Sequence, residues 1–143
     1  MSTRWSILVA ALAFTSQVFA ADFPTGTLKG VGFMVEKGGM QVTEKDLHFY
    51  SSSATIVKRS DGKYEFTIVA HLQKSPSTPQ KTDTRVDVFN VVWDSASSGK
   101  LLNTNAAYQA DRSTFTITST ELVIKSWISR NQLWETHRYL LSK

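Results

Sequence analysis

Three histidines, His48, His71 and His137, are all the imidazoles the chain has, and each falls in a stretch whose alternation predicts a strand. Metal ligands must converge, as pairs at i, i+2 on one strand face or i, i+4 on a helix do. Glu135 and His137 satisfy the first spacing and are the one local candidate pair. A surface pair on an outward face is the plainer reading of the same two residues. No HExxH, EF-hand loop or Asp-rich loop accompanies them, so no metal or other cofactor is expected. The chain has no Cys, which excludes a thiolate zinc site, an iron–sulfur cluster, a disulfide scaffold and a cysteine nucleophile.

Nucleophilic serine chemistry needs a base and a sharp turn that exposes the hydroxyl. There is no Gly-x-Ser-x-Gly here, and Ser51–Ser53 and Ser95–Ser98 read as turn serines that bond to local backbone. The twelve acids are scattered, with no anchored carboxylate pair. Gly30 and Gly32 lie within a predicted strand and lead into no helix, so they cradle no phosphate. Catalytic residues are therefore not expected. A small hydrolase would require an acid/base pair within hydrogen-bond reach in a cleft, and three histidines all facing solvent would remove it.

The aromatic residues are more informative. Tyr64, Phe66, Phe89, Trp93, Trp127, Trp134, Tyr108 and Tyr139 are many for a chain of this length, and they serve either a packed core or a ligand cavity. The candidate ligand-binding set is Tyr64, Phe66, Phe89, Asn90, Trp93, Trp134 and Arg138. Asn90 enters because it shares a strand face with Val86, Val88 and Val92. If that face points inward, the amide must find partners, and a ligand could supply them.

The elements that would hold these residues come after an export signal. Met1-Ser-Thr-Arg4 is a short positive region, Trp5–Phe14 an unbroken apolar run, and Val18-Phe19-Ala20 a small-residue cleavage site. The run is too short to span a bilayer as a helix. Cleavage after Ala20 leaves residues 21–143 as a single domain without a lipid-bearing Cys, expected to be soluble in a periplasm or secreted. The net charge of +4 is spread without a basic aromatic stripe, so nucleic acid is not an expected partner. Lys74, Lys81 and Arg85, around the proline-bearing loop 74–84, are the first places an anionic glycan or lipid head group would meet.

Period-two alternation recurs along this domain and no long 3.6-residue period does. Lys63–Gln73 is the clearest strand, with Tyr64, Phe66, Ile68, Ala70 and Leu72 on one face. Asp61-Gly62 joins it to Ser53–Arg59 as a tight hairpin. Thr27–Lys37, Met40–Tyr50, Arg85–Trp93, Leu101–Gln109, Thr114–Ile128 and Gln132–Leu141 complete eight strands. Val42–Phe49 and Ile117–Ile124 share the pattern apolar-Thr-x-x-acid-Leu-x-apolar, which suits a sharp bend or a tight hairpin.

Eight short neighbouring strands must hide two edges. An antiparallel up-and-down barrel does so, with a two-sheet β-sandwich as the alternative. The strand count, Gly26-x-Leu28 at the first strand and Arg138 near the end of the last together resemble the calycin superfamily of lipocalin-like barrels. That resemblance implies a barrel holding a small molecule. Leu28 stands where the family has Trp, so the family's packing of Arg across that Trp cannot form, and Trp134 is the residue available to take part instead. An outer-membrane barrel is disfavoured, because Lys58, Glu65, Asp87, Lys125 and Glu135 interrupt any apolar outer band.

Two functions then compete. A lipocalin-like protein binding a small, largely apolar ligand requires an enclosed cavity of at least about 300 Å³. A protein-interaction module, an inhibitor or envelope assembly factor, requires a solid core and an exposed patch or an ordered loop at 74–84 or 94–100.

Overall fold

The computed structural model describes residues 22–41 and 49–142. They form a closed antiparallel barrel rather than a sandwich. The strands are β1 (Gly26–Lys37), β2 (Met40–Gln41), β3 (Phe49–Lys58), β4 (Tyr64–Gln73), β5 (Lys81–Trp93), β6 (Ser98–Asn103), β7 (Arg112–Ile117), β8 (Glu121–Ile128) and β9 (Leu133–Leu140). From β3 to β9 each strand pairs with its sequence neighbour, and β1 pairs with both β3 and β9 to close the ring. The two-residue β2 extends only the tip of β1, where Glu36 and Lys37 oppose Gln41 and Met40.

Two of the expected strands take a different form. Met40–Tyr50 is not one strand: Met40–Gln41 is β2, Phe49 and Tyr50 open β3, and residues 42–48 lie outside the described ones. Thr114–Ile128 is two strands, because the chain reverses over Thr118–Thr120. There the Thr118 hydroxyl oxygen accepts from the backbone N–H groups of Thr120 and Glu121 at 3.3 and 3.0 Å, a side-chain turn without Gly or Pro. The second copy of the repeated pattern is thus a tight hairpin, with Ile117 opposite Leu122. Leu101–Gln109 is shorter than expected, since Asn105 accepts from Ala107 N–H at 3.0 Å and caps a single 3₁₀ turn, Ala106–Tyr108. The loop after β4 is shorter too, because β5 already begins at Lys81.

Strand direction and alternation decide which residues meet. On β4, Tyr64 and Phe66 are buried and pair across to β5 at Phe89 and Asp87. The preceding turn works as expected: Gly62 sits at φ +82° and Arg59 N–H donates to Lys63 O at 2.8 Å. On β5 the inward face is Asp87, Phe89, Val91 and Trp93. The valines of the other face point out, with Val86 57% and Val92 42% exposed. On β1 the phase changes between Gly30 and Gly32, where Val31 is an extra residue against β9. This bulge lets both Leu28, below it, and Phe33, above it, face inward.

One end of the barrel is solid. Leu28, Ala54, Ile56, Tyr64, Phe66, Leu101, Phe115, Leu122 and Ile124 pack there with Phe23. Phe23 comes from the segment before β1, is 2% exposed, and inserts its ring among Tyr64, Phe66, Phe115 and Trp93 at centroid distances of 5.3, 5.6, 5.0 and 6.3 Å. These edge and tilted contacts suit the ring quadrupoles and make Phe23 a stopper. Gly99 admits the Phe115 ring close to β6, since a Cβ there would lie 2.8 Å from two ring carbons.

Candidate functional site

The opposite end of the same interior is polar. Strands β5 and β9 each begin there, so their inward positions Asp83, Arg85, Asp87 and Glu135, His137 line the interior toward that end. Asp87 is 7% exposed. Its carboxylate is paired with the Arg85 guanidinium and accepts from Asn103 Nδ2 at 2.9 Å, which satisfies a charge that would otherwise be costly to bury. Arg85 also lies over the Tyr108 ring, 4.9 Å from its centroid. Nearby, Asp111 Oδ1 accepts from Ser129 N–H and Oγ–H at 2.9 and 2.7 Å, and the Ser113 and Ser126 hydroxyls bond each other at 2.8 Å.

Between this wall and the solid half lies an inner chamber of about 70 Å³. Phe66, Ile68, Phe89, Leu101 and Ile124 floor it, and Asp87, Asn103, Ser113, Ser126, His137 and Tyr139 supply its polar side. A wider mouth of about 240 Å³ adjoins it, sharing Ile68, Arg85, Glu135 and His137 with the chamber and adding Phe33, Tyr50 and Asp83. Taken singly, neither space reaches the ~300 Å³ expected of an enclosed cavity for an apolar ligand. They are smaller and carry more charge.

Glu135 and His137 therefore do not form an outward surface pair. Both face inward, with His137 Nε2 3.4 Å from Glu135 Oε2 and side chains 17% and 30% exposed for His137 and Glu135. Among the described residues no group of three or more metal-ligating side chains converges. An aromatic ladder runs alongside. Tyr50 stacks on Phe33 at 4.4 Å, Phe33 meets His137 at 4.7 Å, and the His137 and Tyr139 rings are parallel at 6.1 Å. Two buried polar atoms on this ladder have no hydrogen-bond partner, His137 Nδ1 and the Tyr139 hydroxyl. Burial raises the Tyr139 phenol above its ordinary range, helped by the nearness of Tyr50 and Glu135. Tyr50 is raised by burial and by Glu135, partly offset by its hydrogen bond with Ser52.

The seven residues singled out from the sequence divide. Tyr64, Phe66, Phe89 and Trp93 are inside, but Tyr64 and Trp93 pack around Phe23 in the solid half, and only Phe66 and Phe89 touch the chamber. Asn90 is on the exposed outer face of β5, so the inward amide does not exist; Asp87 is the buried polar group of that strand. Trp134 and Arg138 share the outer face of β9, opposite in phase to Glu135, His137 and Tyr139. Trp134 packs on Trp127 at 5.4 Å under Lys125. Arg138 grips Glu121 with bonds of 2.7–3.0 Å. Leu28 is buried inside, whereas Arg138 stands on the outer face.

His71 is also on the outer face, bonded to Thr82 Oγ1 at 2.9 Å; His48 lies outside the described residues. Asp87, Glu135, His137, Tyr139, Phe33 and Tyr50 were not in the candidate ligand-binding set, Glu135 and His137 having been singled out only as a metal pair. The signal for three of them was present, since Glu135, His137 and Tyr139 recur with period two. No described helix is long and apolar enough to cross a membrane. The sequence matches no family model and no curated relative, so function must be argued from the geometry.

Proposed function

We propose that this chain is a small-molecule-binding barrel, exported after removal of residues 1–20, whose polar end takes the ligand. One observation carries the reading. The interior is filled at one end and polar at the other, and beside the chamber between them the Tyr139 hydroxyl and His137 Nδ1 are buried without partners. A fold does not ordinarily leave such groups unmade, because each costs about 1–3 kcal/mol, and a bound molecule reaching them would supply what the protein withholds. The ligand this favours is amphipathic, with a polar end toward Glu135 and His137, rather than largely apolar. Binding is favoured over turnover because the His137 ring, although beside Glu135, hydrogen-bonds no serine or threonine hydroxyl among the described residues.

The test is native mass spectrometry of the chain purified from its own cell envelope, with the N-terminal residue read from the same mass. A start at Ala21 and a retained small molecule are expected. Adding that molecule back at a hundred times its Kd should stabilise the stripped chain by about 2.7 kcal/mol. A chain that carries nothing, and whose Tm no small molecule raises, would overturn the reading. A retained protein would favour an interaction module instead.

A further inference from the structure

We infer that the mouth selects small organic cations, an ammonium group carried on a flat apolar body; this rests on the polar end being the ligand site and adds the ligand's charge and shape. Arg85 is the one Lys or Arg among the residues lining the mouth, and it is committed to Asp87 and to the Tyr108 ring. Two carboxylates remain. Asp83 meets Lys81 at 3.6 Å on the exposed rim, which leaves Glu135 to address a guest. Its Oε2 faces His137 Nε2, and Oε1 has no hydrogen-bond partner among the described residues.

In the tautomer that donates its Nε2–H to Glu135, His137 presents a bare lone pair at Nδ1. Tyr139, fully buried and without a partner, adds a hydroxyl oxygen deeper in. Glu135 and His137 line the mouth and, with Tyr139, the inner chamber behind it, and an anion entering the mouth would meet the Glu135 carboxylate first. Tyr50, stacked on Phe33, also lines the mouth, and an aromatic face attracts a cation by about 0.5–2 kcal/mol. At about 240 Å³ the mouth lies below the ~300 Å³ at which drug-sized pockets begin, so the guest is of the size of one ring and a short amine.

Isothermal titration calorimetry with benzylammonium, benzyl alcohol and benzoate, near neutral pH and at low salt, tests this. Benzylammonium should bind about tenfold or more tighter than benzyl alcohol, with benzoate weakest. Raising the salt should weaken the amine and leave the alcohol unchanged. Glu135→Gln, if it folds, should bring the amine to within about threefold of the alcohol without changing the alcohol's affinity; the salt series on the unaltered chain decides the matter if it does not fold. Equal binding of amine and alcohol, or preferred binding of benzoate, overturns the cation selectivity and leaves the small-molecule reading standing. Failure of all three probes at millimolar concentration overturns the selectivity, and the small-molecule reading falls with it if the envelope-purified chain also carries nothing.

Discussion

Tyr139 holds its hydroxyl inside the barrel with nothing to bond, a sacrifice of stability at one residue. Tyr139→Phe removes the orphan without leaving a hole, so the ligand-free chain should gain about 1 kcal/mol in urea unfolding while retaining its ligand less well. The same residue sets the alkaline limit. Burial first, then Tyr50 and Glu135, raise the phenol above its ordinary 10.0. The folded state therefore keeps a proton that the unfolded chain gives up. Its contribution is fully present below the unfolded value of about 10 and is lost as pH rises beyond it. Urea midpoints on either side of that pH should fall more steeply for the unaltered chain than for Tyr139→Phe. Tyr50 is raised in the same direction, so the variant should keep a smaller alkaline loss, not none.

The segment before β1 acts as an element although it has no regular structure. Phe23→Ala should cost about 3–5 kcal/mol, read as a lower urea midpoint, and leave mouth binding intact because the stopper sits at the far end. Loss of ligand in a folded Phe23→Ala chain would show that the two ends are not independent. Such a plug was not legible in the sequence, since Phe23 belongs to no alternating run and stands beside Pro24. The β3–β4 hairpin was legible, because Asp61-Gly62 names its turn and β4 alternates cleanly. The β7–β8 turn was legible in part: the Ile117–Ile124 pattern suits a bend or a tight hairpin, but no Gly or Pro marks it, because Thr118 supplies with its hydroxyl what they usually signal. Strand β5 misled in a different way. Its outward valines, half exposed at Val86 and Val92, imitate a core face, whereas the inward face carries the charges Arg85 and Asp87. Burial of a compensated ion pair has no period of its own to read.

At the scale of the whole molecule, the split interior follows from strand order. Going from start to finish, β5 turns inward Asp83, Arg85 and Asp87 before Phe89, Val91 and Trp93. Strand β9 turns inward Glu135 and His137 before Tyr139. Neighbours run the opposite way, with β4 placing Tyr64 and Phe66 at the filled end. In an up-and-down ring, polar starts of downward strands and the far ends of upward ones necessarily coincide. The polar end is thus written along several strands at once rather than in any one motif.

The bulge in β1 makes Val31 a spare residue. Most one-residue deletions in a strand turn every later side chain inside out, but removal of Val31 leaves Gly30 followed by Gly32 in the phase each already has. Phe33 would still oppose His137. A chain one codon shorter at this point should keep its near-wild-type circular dichroism and its mouth ligand, losing local curvature alone, whereas deletion of Met34, two positions past the bulge, should abolish both. Length, in this strand, is slack that evolution can draw in without redrawing the ring.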